Sequence, residues 1–138
     1  MVNSWYVMLW KSDKNFNNVM RMCIDDKSFG ISYNIDKDLR TITNEEMNLI
    51  WENKTNRQKK FYKSILNIIK NVMKIGDIVF LCKGSTIFGV ATISSNYIFN
   101  IKENEPFWLP HRRKIKIISL FKTPATCNKQ LRQTIHKV

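Results

Sequence analysis

Few side chains in this chain are placed to do chemistry. His111 and His136 have no carboxylate or thiol beside them in sequence, and Cys23, Cys82 and Cys127 are scattered, with no Cys-x-x-Cys spacing. Zinc sites and disulfide frameworks need closer or more numerous ligands, so the cysteines read as core or incidental thiols. "GSTIFG" (84–89) lacks the Lys-Ser/Thr of a phosphate-binding loop after its second glycine and reads as a hairpin turn. Asp36 and Asp38 offer paired carboxylates for acid–base work or a metal, but an Asp-x-Asp after a strand is more often solvated turn chemistry. No cofactor is implied.

Charge and flat aromatic faces are the stronger signals. The 138 residues carry 23 Lys and Arg against 11 Asp and Glu, a net +12. Residues 1–53 hold six basic and eight acidic side chains, whereas residues 54–138 hold seventeen and three. The second part is therefore polyanion-seeking, although a solvated lysine face in a Lys-, Asn- and Ile-rich composition is the competing reading. Stacking on a nucleobase needs an aromatic face at a rim, and Trp10, Tyr33, Tyr97 and Trp108 stand beside polar or basic residues. Trp5 and Trp51 are assigned to the core. In "EPFWLPHRRKIKIISLF" (105–121), Trp108 lies between Pro106 and Pro110 in what must be a loop, followed by Arg112, Arg113, Lys114 and Lys116.

The elements that would position these groups follow from periodicity. "SWYVMLWK" (4–11) is apolar on both alternating sets and predicts a strand inside a sheet. Phe16, Val19, Met20 and Cys23 have helical spacing, and "SFGISYNI" (28–35) reads as a second strand. Thr43 and Glu46 form a capping-box pattern that predicts a helix start. From Asn56, Phe61, Ile65, Ile68, Ile69 and Val72 predict one amphipathic helix with lysines on its outer side. Runs 78–82 and 86–93, joined by Lys83-Gly84-Ser85, predict a hairpin, with a further strand near 96–101. In "RKIKIISLF", Ile115 and Ile117 should face inward and Lys114 and Lys116 outward. "CNKQLRQTIHKV" predicts a short basic helix. The length fits one domain, and the order of elements predicts an α+β fold with a curved or barrel-like antiparallel sheet. No segment reaches the roughly 18 apolar residues of a spanning helix, and the start lacks an export signal, so a cytoplasmic protein without a membrane partner is expected.

Three segments in order resemble a known family. "FGISYNIDKDLRTITNEEM" resembles Ile-Gly-Trp, Asp-Leu, then Thr-x-Glu-Glu; "MKIGDIVFLCKGSTIFGVATISSNYIFN" resembles Lys-x-Gly-Asp-x-Val, a glycine turn and an aromatic strand; "HRRKIKI" resembles His-x-Arg-x-Val-x-Trp. Together they are similar to the EVE/YTH-like members of the PUA superfamily that precede the motor domain of McrB-type modification-dependent restriction enzymes, over about residues 5 to 135. Two positions depart from the pattern: Ser32-Tyr33 replaces Gly-Trp, and Ile117 replaces a tryptophan.

The resemblance implies a PUA-like curved antiparallel β-barrel flanked by helices, and a non-catalytic domain excised from a longer protein. Its partners would be duplex DNA carrying a methylated base, such as N6-methyladenine or 5-methylcytosine, with an attached motor domain and nuclease subunit. RNA is the alternative partner, and a small enzyme or protein-interaction domain is a third reading. "LWKSDKN" resembles the Lys-Ser strand end of YTH modules, which places Lys11 and Ser12 at the mouth of a flipped-base pocket. Tyr33 takes the cage position, Trp108 a second wall, and Trp10 and Asp36 the border. Lys11, Lys83, Arg112, Arg113, Lys114 and Lys116 would neutralise phosphates.

Overall fold

The computed structural model of the protein describes residues 2–10, 16–100, 109–127 and 135–138. In β1 (Ser4–Trp10), Trp5, Val7 and Leu9 face the main core, whereas Met8 and Tyr6 face a smaller cluster with Phe80, Cys82, Ile87 and Cys127. Successive strand residues point to opposite faces, so a run apolar on both belongs inside a sheet. Accordingly β1 lies between β3 (Ile78–Lys83) and β7 (Ile135–Lys137).

The β1–β3 pair is parallel, with Ser4 opposite Ile78 and Trp10 opposite Lys83, which corrects the expectation of a wholly antiparallel sheet. A parallel pair needs a long crossover. Here it contains α1 (Phe16–Asp25), β2 (Ser28–Ile31), α2 (Asn44–Ile50) and α3 (Asn56–Asn67). The expected hairpin forms from β3 and β4 (Thr86–Ile93), turning at Gly84 with φ 56°. After the short β5 (Ile98–Phe99), β6 (His111–Thr126) pairs first with β2 and β5 and then with β4. The strand order is β2-β6-β4-β3-β1-β7, with β5 on β6. Two register shifts between β4 and β6 bend and twist this long strand, and the sheet curls into a mixed half-barrel, so the fold is α+β and barrel-like.

At the C-terminus, Ile135–Lys137 is a strand antiparallel to β1, not the expected helix, and residues 128–134 lie outside the described ones. Ile135 is fully buried opposite Val7, so this edge strand satisfies β1 while covering the core. Among the described residues no helix is long and apolar enough to cross a membrane.

Both central helices start at capping boxes. Thr43 with Glu46 does so as the sequence predicts, and Thr55 with Gln58 repeats the device at α3. The helix expected to run through residue 72 changes character at Ile68, where Ile68–Val72 forms a π-turn. Ile69 and Met73 are buried while Val72 is left exposed, which corrects its assignment to the apolar face.

Asp77 explains the Gly-Asp-x-Val stretch. Its carboxylate accepts hydrogen bonds from Trp5 Nε1 (3.0 Å), the Lys74 N–H (3.0 Å) and the Asn3 N–H (3.2 Å). Burial pushes its pKa up, but these donors outweigh that and hold it below the ordinary carboxylate range. It ties the turn before β3 to the start of β1. Asp77→Ala strands three donors and is expected to lower stability in urea unfolding by about 2 kcal/mol; a loss under about 0.5 kcal/mol would mean that water replaces the carboxylate.

Candidate nucleic-acid interface

The basic run at the start of β6 divides by burial. Lys114 and Lys116 are exposed, as alternation requires, and Lys114 Nζ donates to the Asp26 carbonyl at 3.0 Å. Arg112 and Arg113 are buried, which corrects their assignment to a phosphate-facing row. The Arg112 Nε donates to the Leu109 carbonyl at 2.7 Å, and its Nη1 lies 3.5 Å from the Asp26 carboxylate. Arg113, 2% exposed, donates to the carbonyls of Ile69 (2.6 Å), Ser95 (2.8 Å) and Met73. It therefore caps the C-terminal end of the π-turn, where backbone carbonyls lack helical partners.

His111, on the same face as Arg113, is fully buried. Its Nε2 donates to the Ile35 carbonyl at 2.7 Å, so Nδ1 is the acceptor for the Tyr97 hydroxyl at 2.8 Å. That hydroxyl in turn accepts the Leu39 N–H at 3.1 Å. Burial pushes His111 down to about 4 and Tyr97 up to about 12, so both are neutral near pH 7. Tyr97 is thus a core residue and not an open stacking face. The network pins residues 35–39, where Asp38 forms the expected turn: it accepts the Arg40 N–H and is held low by the Arg40 guanidinium. Asp36 is exposed beside it.

Tyr33 and Asn34 both have positive φ, 49° and 62°, in a tight turn closed by the Ile35 N–H on the Ser32 carbonyl. A tyrosine there is strained and needs anchoring. Trp51 Nε1 donates to its carbonyl at 2.7 Å, and its ring stacks on Tyr62 with centroids 4.6 Å apart. One face of the expected cage residue is therefore already covered.

An open groove lies elsewhere, along the last third of β6. Leu120, Phe121 and Pro124 line it together with Phe88, Met20, Thr86 and Lys83, enclosing about 270 Å³. Because Trp10 is opposite Lys83, β1 ends beside this groove, where the sequence passes into Lys11-Ser12. Tyr33 and Asp36 are not among its lining residues. Lys11, Ser12 and Trp108 lie outside the described residues, and of Trp10 only the backbone is described. Sequence reading missed the groove because Phe88 and Phe121 look like ordinary strand residues; both are half-buried and lie within a register shift between β4 and β6.

All three cysteines are buried and form no disulfide, and burial pushes Cys23 and Cys82 up to about 12, so these two are not nucleophiles near neutral pH. No cluster of His, Cys, Asp and Glu among the described residues could hold a metal.

These features define an α+β domain with a curled mixed sheet, a basic second part and an aromatic-sided groove. The model of a family described as a domain of unknown function, DUF8426, matches residues 5–133, and the chain belongs to that family. No match is found among curated proteins.

Proposed function

We propose that this domain is the DNA-binding specificity module of a modification-dependent restriction system, of the EVE/YTH-like kind within the PUA superfamily. It inspects a flipped, methylated base in duplex DNA and does no chemistry itself; an attached motor domain and nuclease subunit would act on the result. The reading is carried by one juxtaposition: β1 ends at Trp10, opposite Lys83, at the rim of the groove sided by Phe88 and Phe121. The likeness to YTH modules falls on the sequence that directly follows β1, and the end of β1 pairs with the lysine at the edge of this apolar slot. Flipping costs a few kcal/mol, which aromatic contact of about 1–3 kcal/mol per base can largely offset. Burying one methyl adds about 1 kcal/mol, roughly a fivefold preference. Exposed Lys114 and Lys116 are left as phosphate contacts from the original basic row.

Titration of duplexes carrying N6-methyladenine, 5-methylcytosine or neither tests this. One modified duplex should bind roughly fivefold tighter, and Phe121→Ala should abolish that preference while leaving bulk binding. Tighter binding to matched RNA would transfer the reading to an RNA module. No binding to any nucleic acid at about 50 mM salt, where phosphate contacts are strongest, would sink both.

A further inference from the structure

A second cleft, of about 200 Å³, opens on the helical side between α2 and α3. Its apolar part is Leu39, Ile42, Met47 and Leu66. Its polar part is unusual in composition: Lys63, Asn67, Lys70 and Asn71 from α3 and the π-turn, with Asn44 opposite. Lys63, Asn67, Lys70 and Asn71 all line the cleft, so two cationic and two amide side chains border the same space. Residues 53–76 carry seven Lys and Arg and no acid, and among the described residues neither Lys63 nor Lys70 is paired with a carboxylate. The side chains of Asn67 and Asn71 are already ordered against each other, Asn71 Nδ2 donating to Asn67 Oδ1 at 2.7 Å. This leaves Asn67 Nδ2 as a donor and Asn71 Oδ1 as an acceptor, side by side.

We propose that this cleft is a nucleotide site, distinct from the groove on β6. Lys63 and Lys70 hold the phosphate, the Asn67–Asn71 pair meets the donor–acceptor edge of the base, and the ring lies on Met47, Leu66 and Ile42. A bare anion would use the lysines but not the apolar floor, and an acidic peptide would leave the amide pair idle. The π-turn is part of the design: it keeps Ile69 and Met73 in the core while Lys70 and Asn71 line the cleft, and such turns recur at functional sites. The proposal does not rest on the modified-base reading.

Side-chain NMR of the full chain provides the test, with adenosine and guanosine monophosphate, a short single-stranded oligonucleotide, inorganic phosphate and an oligoglutamate peptide as probes. A mononucleotide should shift the Met47 methyl and the Asn67 and Asn71 amides. K63Q/K70Q should weaken its binding at least about tenfold, and Phe121→Ala should leave it unchanged. A strand that binds at least tenfold tighter than the mononucleotide, with a salt slope about 0.7 shallower in K63Q/K70Q, identifies nucleic acid as the source. Equal affinities identify a free nucleotide. Unmoved cleft signals, equal shifts with phosphate or oligoglutamate, or full affinity in K63Q/K70Q would each overturn the proposal. Absence of any modified-base preference in the unmutated protein, with cleft binding intact, would count against the groove reading alone.

Discussion

Arg113→Met is expected to lower the unfolding free energy by about 3–5 kcal/mol, the largest single-residue loss among the changes considered. The guanidinium is buried and its donors go to backbone carbonyls at Ile69, Met73 and Ser95, with no carboxylate closing the interaction. Those carbonyls cannot find other partners: two belong to the end of the π-turn, where the helical ladder has run out. A cation at a helix C-terminus is also favoured by the aligned peptide dipoles, which helps to keep the arginine charged although burial lowers its pKa. Methionine fills part of the space but leaves three acceptors dry. Arg113→Lys keeps the charge without the fork and should lose about 1–2 kcal/mol. Urea unfolding of the three proteins measures this; a Met variant within about 1 kcal/mol of the parent would mean that water already solvates these carbonyls. If the phosphate role assigned from sequence were correct instead, Arg113→Lys would hold its stability, and Arg113→Met would shallow the DNA salt slope by about 0.9.

Features set by local chemistry were legible in the sequence. The Thr43 capping box, the two-faced burial of β1 and the limits of β4 all follow from neighbours a few residues apart. The parallel pairing of β1 with β3 was not, because it joins segments about seventy residues apart and leaves no local mark. Arg112 and Arg113 are more instructive, since the signal was present and composition overrode it. The alternation that turns Ile115 and Ile117 inward, carried back two and four residues, turns Arg113 and His111 inward as well. A row of charges suggested a surface, while the period already said otherwise for every second residue. Arg112 has the outward parity but is covered by the Leu109 segment, which crosses β2 so closely that a side chain at Gly30 would meet the Leu109 carbonyl at 2.9 Å. The separation of Tyr33 from the groove has a related reason. A resemblance aligns positions along a chain, but β6 shifts register against β4 between Ile117 and Ser119 and again between Leu120 and Ala125, around the groove at Phe121.

Acid should unfold this domain through His111. Its folded pKa, about 4, is below the ordinary 6.5, so the folded state favours the neutral ring. The contribution is therefore fully present above pH 6.5 and is lost as pH falls from 6.5 through 4, reaching about 3 kcal/mol at its limit. Geometry gives the reason. Protonation would put a hydrogen on Nδ1, which now accepts from the Tyr97 hydroxyl, while Nε2 is already committed to the Ile35 carbonyl. The groups around the ring cannot repair this: Phe99 packs on it, Asp38 attracts the charge but is tied to Arg40, and the Arg40 guanidinium lies over the Tyr97 ring at 5.5 Å. Urea unfolding at pH 7 and pH 4 should show the parent losing about 3 kcal/mol more than His111→Gln, which keeps hydrogen-bonding groups but does not titrate. Equal losses would assign acid sensitivity to carboxylates such as Asp77 and Asp38 instead. Because the ring fastens Ile35 and, through Tyr97, Leu39, the segment freed first should be 35–39, between the strained turn at Tyr33 and Leu39 on the wall of the α2–α3 cleft. Nucleotide binding there should consequently weaken more between pH 6.5 and 4 in the parent than in His111→Gln, the part common to both being protonation of the nucleotide's own phosphate.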